Sequence, residues 1–345
     1  MTVFLKSWVL RHLQILAICM MMYLPIGLSS HCLVYVHLGS PIPEYLIVSI
    51  TQARLFNPDC PIYVIADPEA CEQVPRLDSL GVQKISTNSL SKSWQHELFK
   101  QRVPNRGLFL FAKERFYYLE ELVREKNLED VFHVENDVMI FFNLEEKLDL
   151  FRQLYPGMLA VPFDDDTRSV PSFLYVPSVH PLTELVNFLC FKASEPTADM
   201  ELISQFKDES GRALCDHLPI IMPTYVDHHP LVNIYGKAPA YSAPFFNHAE
   251  DFQMIFDAAA IGQFLDGLDT QYHSADLQGF INQLCVFNMG LCQFEWKKDE
   301  KGRYVPYLTC KDRTFQVGNL HIHSKRLHLF HSKNESMPKV PSPIN

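Results

Sequence analysis

Short apolar runs separated by polar turns dominate the chain. Residues 33–38 (LVYVHL) form a β-rich run, a turn follows over 39–43, and helical periodicity covers 44–56 until Asn57 and Pro58 stop it. A second apolar run, PIYVIAD at 61–67, completes strand, helix and strand within thirty-five residues. Such a βαβ unit predicts a parallel sheet. The stretch 68–107 is less regular, with a third strand predicted over 82–85 and a polar loop over 86–93. A stronger helix is predicted over 108–127, where Phe111, Arg115, Tyr118, Leu119, Leu122 and Val123 fall at helical spacing. It leads into DVFHVENDVMIF (130–141), read as an alternating strand that passes through Glu135, Asn136 and Asp137. Further strands are predicted at 158–166 and 171–177, and a proline-bounded helix at 181–192. The C-terminal half is richer in loops, proline and histidine. No repeat or linker interrupts it, so 32–332 reads as one domain and 333–345 as a flexible C-terminal tail.

Composition narrows the class. The 345 residues are 47% apolar, 20% charged and 12% aromatic, which excludes a disordered, collagen-like or small disulfide-stapled chain. Thirty basic against forty acidic residues give a formal charge of -10 without any long basic run, which speaks against a nucleic-acid partner. A chain this long buries roughly three-quarters of its unfolded surface and needs no metal merely to fold, so a bound metal is expected to be functional. Nine cysteines lie far apart with no C-x-x-C pair, which removes zinc-ribbon and redox-motif readings. Buried free thiols are expected, with one or two disulfides in an oxidising lumen as the alternative.

Residues 13–28 (LQILAICMMMYLPIGL) carry no formal charge and follow Lys6, Arg11 and His12. The run of 16 residues is broken by Pro25 and Gly27 and falls short of the roughly 20 that span a bilayer. Residues 1–31 are therefore read as a signal sequence or membrane anchor, placing the remainder in the secretory-pathway lumen or anchored on the non-cytoplasmic side. A buried N-terminal helix in a cytoplasmic protein is the alternative.

Candidate chemistry concentrates at two places. Along a strand, His133, Glu135 and Asp137 share one face. Two carboxylates two residues apart at the end of an apolar strand stand where α/β sheets bind ligands, and they suit a hard cation, Mn²⁺ or Mg²⁺. A polar strand end with two solvated acids is the alternative. Far downstream, NLHIHSKRLHLF (319–330) places His321 and His323 on one strand face with Lys325 following. Arg115 sits mid-helix among apolar neighbours, while Lys113 and Glu114 look like ordinary solvated helix charges.

This order, an N-terminal βαβ unit, a helix bearing Lys113 and Arg115, Glu135-Asn136-Asp137 and a late LHIHSK (320–325), resembles the GT-A glycosyltransferases, in a group of uncharacterised nucleotide-diphospho-sugar transferase-like proteins. The resemblance implies an α/β fold with a Rossmann-like mixed sheet flanked by helices and a loop-rich acceptor-side lobe. It implies a metal-dependent transferase (hexosyltransferase-like) that moves a sugar from a nucleotide-diphosphate donor to a hydroxyl of a glycan, lipid or protein acceptor. Here Glu135 stands where that family's D-x-D motif has its first Asp, which keeps the charge and lengthens the reach. By the same resemblance the metal ligands are Glu135, Asp137 and His323, and the donor is held by Arg115, Glu135 and Lys325. Asp257 and Gln263, in IFDAAAIGQFLDGLD (255–269), would face sugar or acceptor, a helix capped near Asp257 being the structural alternative. Among Asp164, Asp165 and Asp166 at another strand end, Asp165 is assigned to sugar hydroxyls or to the base, against a solvated acidic turn. Two rivals share these residues: a metal-dependent phosphoester or nucleotide-sugar hydrolase, and a non-catalytic nucleotide-sugar-binding pseudoenzyme.

Overall fold

A computed structural model describes residues 31–39, 41–72, 75–103, 108–228, 243–267, 282, 284–333 and 335–340. Residues 1–30, and with them the signal or anchor segment, lie outside the described residues, as do 341–345 of the expected tail. Among the described residues no helix is long and apolar enough to cross a membrane.

The predicted βαβ unit forms as β1 (Cys32–His37), α1 (Glu44–Phe56) and β2 (Ile62–Ala66). Two short helices, α2 (Pro68–Glu72) and α3 (Pro75–Ser79), lead to β3 (Val82–Ser86). Next come α4 (Trp94–Arg102), which the sequence pattern did not reveal, and the long α5 (Leu108–Lys126). The segment expected as one strand is broken in two, β4 (Val131–Val134) and β5 (Val138–Ile140), with α6 (Leu144–Leu154) behind them. Then follow β6 (Leu159–Asp165), β7 (Arg168–Ser169), β8 (Phe173–Val176), α7 (Val179–Phe191), α8 (Asp199–Glu209) and β9 (Cys215–Leu218). The last part holds α9 (Pro223–His228), α10 (Ala249–Phe252), β10 (Met254–Ile255), α11 (Ala260–Asp266), β11 (Gln293–Lys298), β12 (Tyr304–Cys310), β13 (Arg313–Val317) and β14 (Asn319–His321).

The main sheet runs β3-β2-β1-β4-β8-β6-β7, with β9 paired to β6. Its β3, β2, β1 and β4 are mutually parallel, while β8 joins β4 antiparallel. This is the expected mixed sheet flanked by helices. Along β1 every residue is buried, Val34 and Val36 feeding one apolar cluster and Leu33 and Tyr35 the other. A sheet covered on both faces explains why its strands read as continuous apolar runs. A four-stranded sheet, β10-β13-β12-β11, builds the second lobe. The eight described cysteines are free thiols, and five of them, Cys32, Cys60, Cys190, Cys215 and Cys310, are buried core residues.

Two features place the site. The chain goes from β1 outward to β2 and β3, then returns to add β4 on the other side of β1, so the order reverses between β1 and β4. In such sheets the crevice beyond the carboxyl ends at this reversal is the ligand position. Second, β14 pairs antiparallel with β5, aligning Asn319 with Ile140, Leu320 with Met139 and His321 with Val138. That short ribbon carries a histidine from the chain's end to the acids at its middle.

Within the segment read as a tail, Lys339 N donates to Leu329 O at 3.0 Å and Trp296 Nε1 donates to Lys339 O at 3.0 Å.

Candidate functional site

Beyond β4 the backbone leaves the sheet at Glu135, whose N–H donates to Ser172 O at 2.9 Å, and Val138 N returns a bond to Glu135 O at 3.1 Å. Glu135 and Asp137 therefore lie on a turn and not on a strand. The shared face expected for His133 does not exist: its Nδ1 bonds Val34 O at 3.0 Å inside the sheet, its ring meets Phe116 edge-on, and burial pushes it down to about 4. Asn136, between the acids, bonds the His37 ring at 3.0 Å and so ties the ends of β4 and β1 across the crevice.

Glu135, Asp137 and His321 each offer one ligand atom within 4.8 Å of the others. His321 Nε2 lies 3.2 Å from Glu135 Oε2 and 3.3 Å from Asp137 Oδ2. Its Nδ1 is 2.8 Å from Ala258 O, and its backbone N–H donates to Asp257 Oδ2 at 3.0 Å. With Nδ1–H committed to a carbonyl, the ring is oriented so that Nε2 faces the two acids. The sequence reading chose His323; the group of side chains that the structure brings within ligand distance of one another contains His321 in its place. β14 ends at His321, so strand alternation no longer governs His323, whose ring lies tilted against that of His321 with centroids 4.1 Å apart.

Arg115 reaches from α5 to Glu135 and to Asp199, the latter at 2.8 Å, and Lys325 pairs with Asp137. Three acids thus face two fixed cations and one imidazole. Burial alone would raise both carboxylates; Arg115 and His321 hold Glu135 below the usual range, and Lys325 and His321 hold Asp137 well below it. Burial likewise opposes protonation of His321, yet Asp137 and Glu135 overcome it and raise the imidazole to about 9. His323 goes the other way, kept neutral by burial and by its charged neighbour.

The donor set of two carboxylate oxygens and one imidazole nitrogen suits Mn²⁺ or Mg²⁺. Three buried polar atoms without a partner among the described residues, Arg115 Nε, Asn136 Oδ1 and His323 Nε2, belong to residues of this cluster. Such unmet bonds are what a polar ligand completes.

Other expected residues do different work. Asp257 is fully buried and its carboxylate accepts from Ile261 N at 3.0 Å, Gly262 N at 2.9 Å and His321 N. It caps α11 and fastens His321, in line with the helix-capping alternative. Gln263 is buried within α11. Asp165 accepts from Thr167 N at 2.7 Å, Thr167 Oγ1 at 2.8 Å and Asn282 Nδ2 at 2.8 Å, an Asx-type turn that closes β6 onto β7. Its neighbour Asp164 is the perturbed acid: burial pushes it up to about 6, Arg168 stands 3.6 Å away, and its Oδ1 has no partner. Lys113 and Glu114 are buried, not solvated: α4 packs beside α5 and brings His96 and Lys100 to Glu114 at 3.1 and 2.9 Å, while Lys113 Nζ donates to Glu195 O at 3.3 Å. Asp199 carried no signal in the sequence; it is recognisable only through Arg115.

No protein-family model and no curated protein sequence matches the chain. Among solved structures it is similar to apo mouse xyloside xylosyltransferase 1, at TM-score 0.42 and 10% identity over 58% of this chain and 90% of that one. It is also similar to the PaToxG glycosyltransferase, at TM-score 0.41 and 13% identity over 52% and 69%. A third is the galactosyltransferase LgtC in complex with donor and acceptor sugar analogs, at TM-score 0.38 and 12% identity over 56% and 77%. These likenesses are too loose to assign a role to any residue, so the roles below rest on the geometry of the cluster.

Proposed function

We propose that the chain is a divalent-cation-dependent glycosyltransferase acting on a nucleotide-diphosphate sugar. The observation that carries this reading is the convergence of Glu135, Asp137 and His321 at the β1–β4 reversal, flanked by Arg115 and Lys325. These three side chains would hold Mn²⁺ or Mg²⁺, which when bound supplies Lewis-acid stabilisation of the departing nucleotide diphosphate. The chain's own part is positional and electrostatic. Ala258 O fixes the His321 tautomer, Asp199 holds the Arg115 guanidinium against Glu135, and Lys325, one-third exposed, is free to exchange Asp137 for a phosphate oxygen. Asp164, kept largely protonated below pH 6, can donate to a hydroxyl of sugar or acceptor.

Calorimetry with UDP-sugars and GDP-sugars, with and without Mn²⁺, tests the reading, followed by a screen for released UDP or GDP. Binding indifferent to the cation refutes it. Cation-dependent binding without turnover favours the pseudoenzyme, a reading to which the Arg115–Glu135 pair lends weight because it occupies one expected ligand. Turnover without acceptor favours the hydrolase. The acceptor is expected to be a glycan, lipid or protein hydroxyl. From the apolar run at 13–28 we place the activity in the secretory lumen or on the non-cytoplasmic membrane face, and protease protection of the full chain in vesicles tests this.

A further inference from the structure

We propose that Asp266, the last residue of α11, is the positioning residue for Lys325. This inference rests on the reading of Lys325 as the diphosphate-binding cation. Lys325 has φ 62°, a left-handed conformation that a residue with a Cβ avoids unless its surroundings impose it. Both of its chain neighbours are fastened to the same acid. Ser324 Oγ donates to Asp266 Oδ2, and Arg326 grips the carboxylate with Nε at 2.9 Å and Nη2 at 2.6 Å. Lys325 N itself closes the turn onto Ile322 O at 3.0 Å. The Asp266 side chain is fully buried, so the anchor is fixed within the fold, while Lys339 of the C-terminal segment reaches the same Oδ1 as Arg326 Nη2.

α11 therefore acts as a brace with an acid at each end. Asp257, ahead of its first turn, holds the backbone of His321, and Asp266, at its last, holds the residues on either side of Lys325. One rigid element sets the spacing between the cation-binding imidazole and the phosphate-binding ammonium. Asp266 touches neither ligand; it acts through the backbone of 324–326.

Asp266→Asn keeps the side chain's size and leaves two cations, Arg326 and Lys339, whose side chains are 55% and 34% exposed, so no fully buried charge is stranded and the fold is expected to hold. Hydrogen exchange on the full chain is expected to show faster amide exchange over 322–327 in this variant. Titration with UDP and with GDP in the presence of Mn²⁺ is expected to show about tenfold weaker binding. Lys325→Ala is expected to weaken binding to a similar degree, and the double variant to be no weaker than Lys325→Ala alone, since a residue that acts only by placing Lys325 has nothing left to place. Unchanged exchange in Asp266→Asn overturns the clamp, and additive losses overturn its action through Lys325. A wild-type protein that binds neither nucleotide overturns the diphosphate reading instead, while the exchange result still decides whether Asp266 holds the turn.

Discussion

Gly262 lies inside α11 with its Cα against the carbonyl of His321. A Cβ at that position would stand 1.9 Å from His321 O and 2.6 Å from His321 C, where ordinary contact begins near 3.4 Å. Gly262→Ala therefore forces the helix and the end of β14 apart by about 1.5 Å. Two effects oppose one another. Replacing a helix-interior glycine by alanine stabilises by about 0.5–1 kcal/mol. Overpacking costs about 1–3 kcal/mol, and here the obstacle is backbone that cannot rotate away, so the upper part of that range applies and wins. A net loss of about 1–2 kcal/mol follows. The larger effect falls on His321, whose N–H and ring are both tied to residues 257 and 258. Metal–ligand distances tolerate only about 0.2 Å, so a shift several times larger should weaken Mn²⁺ binding by about ten- to a hundredfold. Calorimetric Mn²⁺ titration of wild type and Gly262→Ala reads the affinity, and thermal unfolding by circular dichroism reads the stability. A variant as stable as wild type with unchanged Mn²⁺ affinity would refute both the packing argument and the place of His321 among the ligands.

The frame of this fold is legible in the sequence because local pattern and tertiary burial agree there. β1, α1 and β2 are continuous or periodic apolar segments bounded by Asn and Pro, and the sheet covers both strands as such runs require. The acids at 135 and 137 are legible for a similar reason: charge interrupts an apolar stretch at a strand end. Choice between His321 and His323 is not legible, since both sit on one face of the drawn strand. What decides between them is the three-residue ribbon of β14 on β5, a pairing across 179 to 183 positions of sequence whose length gives periodicity nothing to work on. Asp257 and Asp165 attract notice for the right chemical reason, a carboxylate near the crevice, but each spends its oxygens on backbone or turn donors, and that is visible only once the partners are in place. Burial of Glu114 follows from α4, a helix with too few apolar positions to announce itself, and that of Lys113 from the segment at Glu195, whose carbonyl its Nζ reaches at 3.3 Å.

Asp137→Asn is expected to abolish cation-dependent release of UDP or GDP while leaving the unfolding midpoint within a few degrees of wild type; retained activity would remove the cation from the mechanism. His321→Ala is expected to lower Mn²⁺ affinity at least about tenfold and His323→Ala less than about threefold, and calorimetry giving the reverse order would return the ligand role to His323. Asp257→Ala leaves three buried N–H groups without an acceptor and is expected to cost about 2–4 kcal/mol in denaturant unfolding; a loss below about 1 kcal/mol would show that its cap is dispensable. Asp164 yields a pH dependence with a definite sign. Burial pushes its carboxyl from an ordinary 3.8 up to about 6, so between these values the folded chain holds a proton that the unfolded chain has released. Its contribution is therefore present below about pH 4, is lost as pH rises through 6, and changes no further above that. Asp164→Asn cannot titrate, so its stability relative to wild type should grow across pH 4 to 7 by on the order of 3 kcal/mol before solvent relaxation reduces the figure. Unfolding curves for the two proteins that stay parallel over that window would show that Asp164 is ionised in the folded chain, and its role as a hydroxyl-facing donor would fall with the buried proton.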